Sequence, residues 1–354
     1  MKSLTKIIFL FMLIVSGVSS HAQTDSLKTQ KAEFNVAPYF NYNTTSGAGF
    51  GLLPMLSFYM DKEDEVSPRS TIGLLGYYNT KKSFSVATFG NFYLAQDNWR
   101  VMFALGTGTY NFQTFIDSGG GEGAFVDYGT DTNMFALDVR RRIFNRLYGG
   151  LGFVHQKSKT TFDANIPDDT TKLNILMLEL FFDDRNSVYY PTKGNQVLIR
   201  WNNIPEWLGN DEASNVIIAN YNRYLAVTDN RDVVAMRFHI KAGLSDLTFQ
   251  QQPMLRGVDL RGYSEGKYRG DGVMDVQGEY RWNFKNKLRF SAVGFAGLGT
   301  LYGADTDDFN WKLYPSIGGG IRWTALKSNH MNVGIDAGVG KDDWGIYFRI
   351  GEAF

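Results

Sequence analysis

The chain of 354 residues sets 36 lysines and arginines against 36 aspartates and glutamates, and this formal neutrality gives no global attraction to nucleic acid or to an anionic surface. It has no cysteine, so ladder hydrogen bonds and packing, not a disulfide framework, must hold it. With 27 Phe, 19 Tyr, 7 Trp and 38 Gly against 8 Pro, the composition suits aromatic-rich sheet and argues against a disordered or helical secreted chain.

Chain order begins with Lys2 and Lys6, the apolar run Ile7 to Val15, and the small-residue end Ser20-His21-Ala22. That layout predicts a signal peptide over residues 1–22, cleaved after Ala22. A retained anchor would need about 18 apolar residues, and this run breaks at Ser16-Gly17. No second long apolar run follows, which excludes a helical membrane protein. Residues 23–33 are too short to fold alone and are expected as a periplasmic segment.

From residue 34 to residue 354 one unit recurs: roughly ten residues of alternating apolar and polar side chains, a turn, and another such run. The clearest case sets Met274, Val276, Gly278, Tyr280, Trp282 and Phe284 on one face, with Asp275, Gln277, Glu279, Arg281 and Asn283 on the other. One strand cannot tell a soluble sandwich from a membrane barrel, because both have an apolar and a polar face. The sum over strands favours the barrel, since the polar face is repeatedly charged and the apolar face repeatedly aromatic. The predicted strands are 34–43, 47–60, 70–80, 83–95, 99–115, 132–143, 146–160, 172–183, 195–203, 215–227, 232–244, 273–284, 288–301, 315–324, 331–339 and 344–354. The expected fold is therefore all-β, a closed antiparallel transmembrane β-barrel of about 16 strands, an even number as bacterial barrels require.

The connections support that count. Gln96-Asp97-Asn98, Asn145, 228–231, 285–287 and 325–330 are short, while 116–131, 161–171, 204–214, 245–272 and 302–314 are long. Short periplasmic turns opposite long extracellular loops are the barrel asymmetry. The stretches 61–69 and 184–194 are long for periplasmic turns. The glycines at 119–121 read as a loop tip rather than a phosphate cradle, because no helix pattern follows.

Four segments stand in a recognisable order: Asp184-Arg185 with Tyr190-Pro191-Thr192-Lys193-Gly194; Leu260-Arg261-Gly262-Tyr263; Gly318-Gly319-Gly320-Ile321-Arg322-Trp323; and the ending Phe348-Arg349-Ile350-Gly351-Glu352-Ala353-Phe354. The mature chain resembles the BamA/TamA superfamily of outer-membrane assembly and translocation barrels, also called the bacterial surface antigen family. The resemblance implies that Leu260, Arg261, Gly262 and Tyr263 lie on the loop after the eleventh strand and fold back into the lumen. An arginine confined there gains most from a carboxylate, and the glycine after it permits close backbone approach. The resemblance suggests Glu279 as that partner, and the pleat puts Glu279 on the lumen face with Asp275 and Arg281. Asp336 is a further inward carboxylate.

Two departures stand out. Relatives commonly carry an Asp on the strand after the Glu-bearing one, where this chain has Gly297, so the clamp is expected to rest on fewer carboxylates. Relatives also carry POTRA domains ahead of the barrel. This chain is expected to be barrel only, which raises a separate periplasmic partner as their replacement.

The seam between first and last strands is the other expected site. Pro38 lacks an amide hydrogen and removes a ladder bond, and Gly351 matches the family's glycine near the end of the last strand. A seam opening toward lipid would template a nascent strand by edge pairing, as the family is thought to do. Phe354 resembles the terminal aromatic of an assembly signal.

Other features carry less. Arg269-Gly270-Asp271 is a short chance match, Asn43-Thr44-Thr45 reads as a turn, and His155, His239 and His330 are too scattered for a metal. No Ser/His/Asp or paired-carboxylate constellation stands out, so neither a cofactor nor an enzyme is expected, and a barrel hydrolase ranks third. The leading expectation is a multi-pass barrel of the Gram-negative cell outer membrane for protein insertion or translocation. Its expected partners are lipopolysaccharide or phospholipid and unfolded outer-membrane or secreted clients. The alternative is a passive pore or structural barrel, with a lumen made basic by Arg140, Arg200, Arg237, Lys241, Arg322 and Arg349 against Asp138, Glu279 and Asp336.

Overall fold

A strict period of two along the chain lets each run bury one polar face inside a ring and turn its apolar face out. A computed structural model describes residues 31–354 apart from 44–46, 118–122, 163–166, 228–231, 246, 248–250, 258, 264–267, 285–287 and 305–306. The expected signal peptide, residues 23–30, the glycines at 119–121, Thr44-Thr45 and the turns at 228–231 and 285–287 lie outside the described residues.

The strands are β1 (Glu33–Asn43), β2 (Gly47–Phe58), β3 (Ser70–Asn79), β4 (Phe84–Leu94), β5 (Trp99–Asp117), β6 (Gly123–Phe144), β7 (Leu147–Phe162), β8 (Asp169–Asp183) and β9 (Gly194–Ile204). They continue as β10 (Ser214–Val227), β11 (Asp232–Gly243), β12 (Met254–Leu255), β13 (Tyr268–Arg269), β14 (Gly272–Asn283), β15 (Phe290–Tyr302), β16 (Tyr314–Leu326), β17 (Met331–Gly340) and β18 (Asp343–Ile350). All except β12 and β13 join one closed antiparallel barrel in which β11 lies beside β14 and β1 meets β18. The small pair β12 and β13 belongs to the loop between β11 and β14.

Outward residues are large, apolar and exposed: Leu52 at 60%, Leu151 at 67% and Ile317 at 66% are accessible on a surface that only lipid would cover. Inward residues are charged and buried, among them Arg140, Glu179, Arg281, Arg322 and Asp336. Along β8 and its neighbours the inner wall is tied by Arg140 to Glu179 at 2.7 Å, by Arg100 to Asp183 at 2.6 Å and by Arg100 to Asp97 at 2.8 Å.

The strand ends correct the sequence reading in two places. The expected loop 116–131 is mostly strand, since β5 and β6 pair as far as Asp117 opposite Gly123. At about 3.3 Å per residue the 22 residues of β6 extend well past an apolar band of about 25 Å, and above that band lipid no longer imposes alternation. Cross-strand polar pairs replace it, including Thr107 with Asn133 at 2.8 Å and Thr132 with Ser158 at 3.1 Å. The last strand ends at Ile350, four residues short of the predicted 344–354, because Gly351 takes a φ of +78° and turns the chain inward.

Candidate functional site

The loop from β11 to β14 enters the lumen through small residues on the facing wall. A Cβ on Gly338 would lie 3.0 Å from Gly262 N, and one on Gly297 would lie 2.7 Å from Leu260 Cδ1. Glycine at 297 thus provides the space that Leu260 fills. Leu260 and Tyr263, both fully buried, pack with Leu255, Tyr268, Val273, Leu301 and Tyr314.

Arg261 stands at the centre, 1% exposed. Its NH1 donates to Glu279 Oε2 at 2.7 Å and to Asp336 Oδ2 at 2.8 Å, and its guanidinium carbon sits 3.5 Å from the centre of the Phe295 ring. A single nitrogen therefore serves both carboxylates, while Nε and NH2 have no hydrogen-bond partner among the described residues. Ser316 Oγ donates to the Arg261 carbonyl, Gly262 N donates to the Tyr347 hydroxyl at 3.0 Å, and the Tyr263 hydroxyl donates to Pro315 O at 2.6 Å. Each tie joins the loop to β16 or β18.

Because one nitrogen carries both contacts, Arg261→Lys is expected to keep a good part of the clamp and Arg261→Ala to lose it, at about 3 kcal/mol for removing one partner of a buried ion pair. Heat-dependent gel migration and urea midpoints of the folded barrel measure the order. An alanine variant as stable as the parent would remove the brace.

The same carboxylates serve three more arginines. Asp336 accepts from Arg322 NH1 at 2.5 Å and NH2 at 3.1 Å, and from Arg349 Nε at 3.2 Å. Arg281 Nε donates to Glu279 at 2.8 Å, and its NH2 donates to the Phe354 carbonyl at 2.8 Å. Glu352 completes the set, accepting from Arg322 Nε at 3.2 Å and from Asn332 Nδ2 at 2.7 Å. Buried as they are, these contacts position the loop and the end of β18 against one another.

Among the described residues β1 and β18 share two register pairs at the seam, Tyr42 with Ile346 and Asn43 with Gly345. By contrast, β17 and β18 run together from Val333 opposite Ile350 to Gly340 opposite Asp343. Toward the periplasmic rim β18 passes inside β1. Phe348 lies 4.7 Å from the Tyr39 ring, and with Ile350 it packs on Ala37, Leu53 and Met55, which face the lumen from β1 and β2. The turn after β16 takes the place of β18 at that rim, where Glu33 accepts from Lys327 N and Ser328 N, both at 2.9 Å.

The long connection 184–194 crosses the same rim. The Tyr189 hydroxyl donates to Arg69 O at 2.6 Å, the Tyr190 ring stacks on His330 at 4.2 Å, and Pro191 O accepts from Arg281 at 3.4 Å. Burial pushes His330 below its ordinary pKa of 6.5, against a smaller opposing pull from Glu352. A base depressed in the fold gives stability that is complete above 6.5 and declines as pH falls through that value. The protection factors of the Met331 and His330 amides, taken against intrinsic exchange at each pH, are therefore expected to fall from pH 8 to pH 5, and His330→Phe is expected to abolish the dependence. A flat profile in the parent would remove this role.

The expected residues fall into three groups. Arg261 binds both Glu279 and Asp336, and Arg281 joins through Glu279. Asp275 corrects the expectation: it faces the lumen but binds His239 Nδ1 at 2.7 Å and Gln277 Nε2 at 3.0 Å, two strand registers away from the clamp, since the pleat fixes a face and not a height. Pro38 pairs with Leu52 of β2 and points outward, exposed, while Phe354 lies not on a lipid face but inside, against Tyr224, Val233 and Ala235. Sequence reasoning missed Phe295, Asn332, Glu352 and Tyr347 as clamp partners. Only Glu352 left a trace, an acid falling on the apolar register of the last strand.

A sixteen-strand cylinder with an apolar exterior and an external loop pinned inside by a buried arginine defines an outer-membrane β-barrel with an internal brace. The chain belongs to the Omp85 superfamily, whose domain matches residues 63–354, the family to which its four motifs pointed. Its fold is similar to BamA from Haemophilus ducreyi lacking POTRA domains 1-3, at 14% identity and a TM-score of 0.57 over 90% of this chain and 70% of that one. It is also similar to CdiB from Acinetobacter baumannii, at 15% identity and 0.61 over 91% of this chain and 60% of that one. CdiB from Escherichia coli aligns at 14% identity and 0.63, over 90% of this chain and 62% of that one. The chain thus spans less than two thirds of either CdiB chain. No curated protein sequence matches it.

Proposed function

We propose that this outer-membrane barrel serves protein insertion into, or translocation across, the outer membrane, and that the seam between β1 and β18 is its working edge. The observation that carries this reading is the two-pair closure, which leaves most of β1 without a strand partner on that side among the described residues. An unpaired strand edge is a template for another strand. The clients of this reading are unfolded outer-membrane or secreted proteins, handed over by a separate periplasmic partner and released among lipopolysaccharide and phospholipid. Leu255, Leu260 and Tyr263 of the loop fill part of the lumen, which weighs against a passive pore.

The test uses a chain that has no native cysteine. Cysteines at Tyr42 and Ile346, which face each other across the seam, lock it once oxidised. Insertion of client barrels is expected to fall to near background in the cross-linked form and to return on reduction. Full activity of a verified cross-linked barrel would sink the proposal.

A further inference from the structure

Among the described residues the seam holds two register pairs, although both strands have residues left to pair. Tyr42 faces Ile346 and Asn43 faces Gly345, so continuing the ladder would set Phe40 opposite Phe348, Pro38 opposite Ile350, Val36 opposite Glu352 and Phe34 opposite Phe354. The outward face of a straight β18 would read Trp344, Ile346, Phe348, Ile350, Glu352 and Phe354. Glu352 is the one charged side chain in that row. Opposite it, Val36 and Phe34 are exposed at 42% and 65% on the lipid side of β1. A carboxylate there would exchange hydrogen-bonding partners for lipid.

The fold avoids that arrangement. At Gly351 the chain turns with a φ of +78°, and Gly351 N donates to Asn332 O at 2.7 Å. Glu352 then reaches Arg322 and Asn332, with its side chain 3% exposed, and Arg281 lies 3.7 Å away. Phe348 and Ile350, left without β1 as an edge partner, settle on its inner face with Ala37, Leu53 and Met55. Pro38 brings no N–H to the missing ladder. The last strand is therefore tied more firmly to the lumen than to the strand it closes against.

We infer that Glu352 is a positioning residue: its ties to Arg322 and Asn332 hold the end of β18 inside the barrel and keep β18 from zippering along β1. This action of Glu352 does not depend on the seam being the working edge.

Cysteines at Phe40 and Phe348 report the zipped register in the full-length barrel. With Glu352 retained they are expected to cross-link poorly. With Glu352→Leu the cross-linked fraction of folded barrel is expected to rise about tenfold, the scale of one lost charge-assisted hydrogen bond. Glu352→Gln, which keeps the shape and loses the charge, is expected to fall between, and it carries the comparison if the leucine variant does not fold. Equal cross-linking in the three backgrounds overturns the inference. Insertion measured on the Glu352→Leu protein separates the two ideas: a zipped seam with undiminished insertion supports the hold of Glu352 on β18 and sinks the proposed function.

Discussion

Asp336→Asn is expected to destabilise the folded barrel by about 4 kcal/mol, the scale for stripping one partner from a buried ion cluster. Asp336 is fully buried, and its two oxygens accept from three arginines: Arg261, Arg322 and Arg349. Asparagine preserves the shape but leaves three guanidinium groups at close quarters with less charge to balance them, and its amide hydrogens would point toward donors. The comparison is Asp275→Asn, where the partners are one histidine and one glutamine, and the loss is expected to be nearer 1 kcal/mol. Urea titration in detergent or liposomes, with heat-dependent gel migration as a second probe, measures both. Equal midpoints for the two variants would mean that the clamp does not carry the barrel's stability.

Gly262→Ala is the second large effect, expected at about 3 kcal/mol from a backbone position that side chains rarely adopt. Gly262 has a φ of +106°, and a Cβ built there would lie 2.6 Å from Val339 C and 2.7 Å from Gly340 N. Both are backbone atoms of β17, and a strand held on either side cannot step back as a flexible side chain can. The loop is therefore expected to leave the lumen rather than the strand to move, exposing Tyr263 and Leu260. Protease cleavage between β12 and β13 reports that exit directly. A loop that stays protected in the alanine variant would show that β17 yields.

Much of the barrel could be read from the chain because lipid outside and water inside enforce a period of two, and Met274 to Phe284 shows it without interruption. The order of motifs placed Arg261 on the loop after the eleventh barrel strand and named Glu279. What escaped was whatever depends on closing the ring. Asp336 was legible as an inward carboxylate, but that it shares one nitrogen of Arg261 with Glu279 depends on β17, 75 residues downstream, curling around to the loop. The start of β6 escaped for a different reason, since Thr130 and Thr132 pair across strands where no bilayer sorts apolar from polar. The end of β18 escaped because Gly351 and Glu352 reverse a pattern that Phe348 and Ile350 had set.

The closure also bears on how the cylinder itself is made. Every other rung joins neighbours across a hairpin or one loop, whereas the rungs at Tyr42 and Asn43 must find residues near the far end of the chain. Bringing such distant points together costs chain entropy that grows with the logarithm of the intervening length, and it is met here by the shortest ladder of the ring among the described residues. Closure is therefore expected to come last in folding and to be the first rung undone, so that a newly made molecule would pass, just before completion, through the split form on which the proposed function relies.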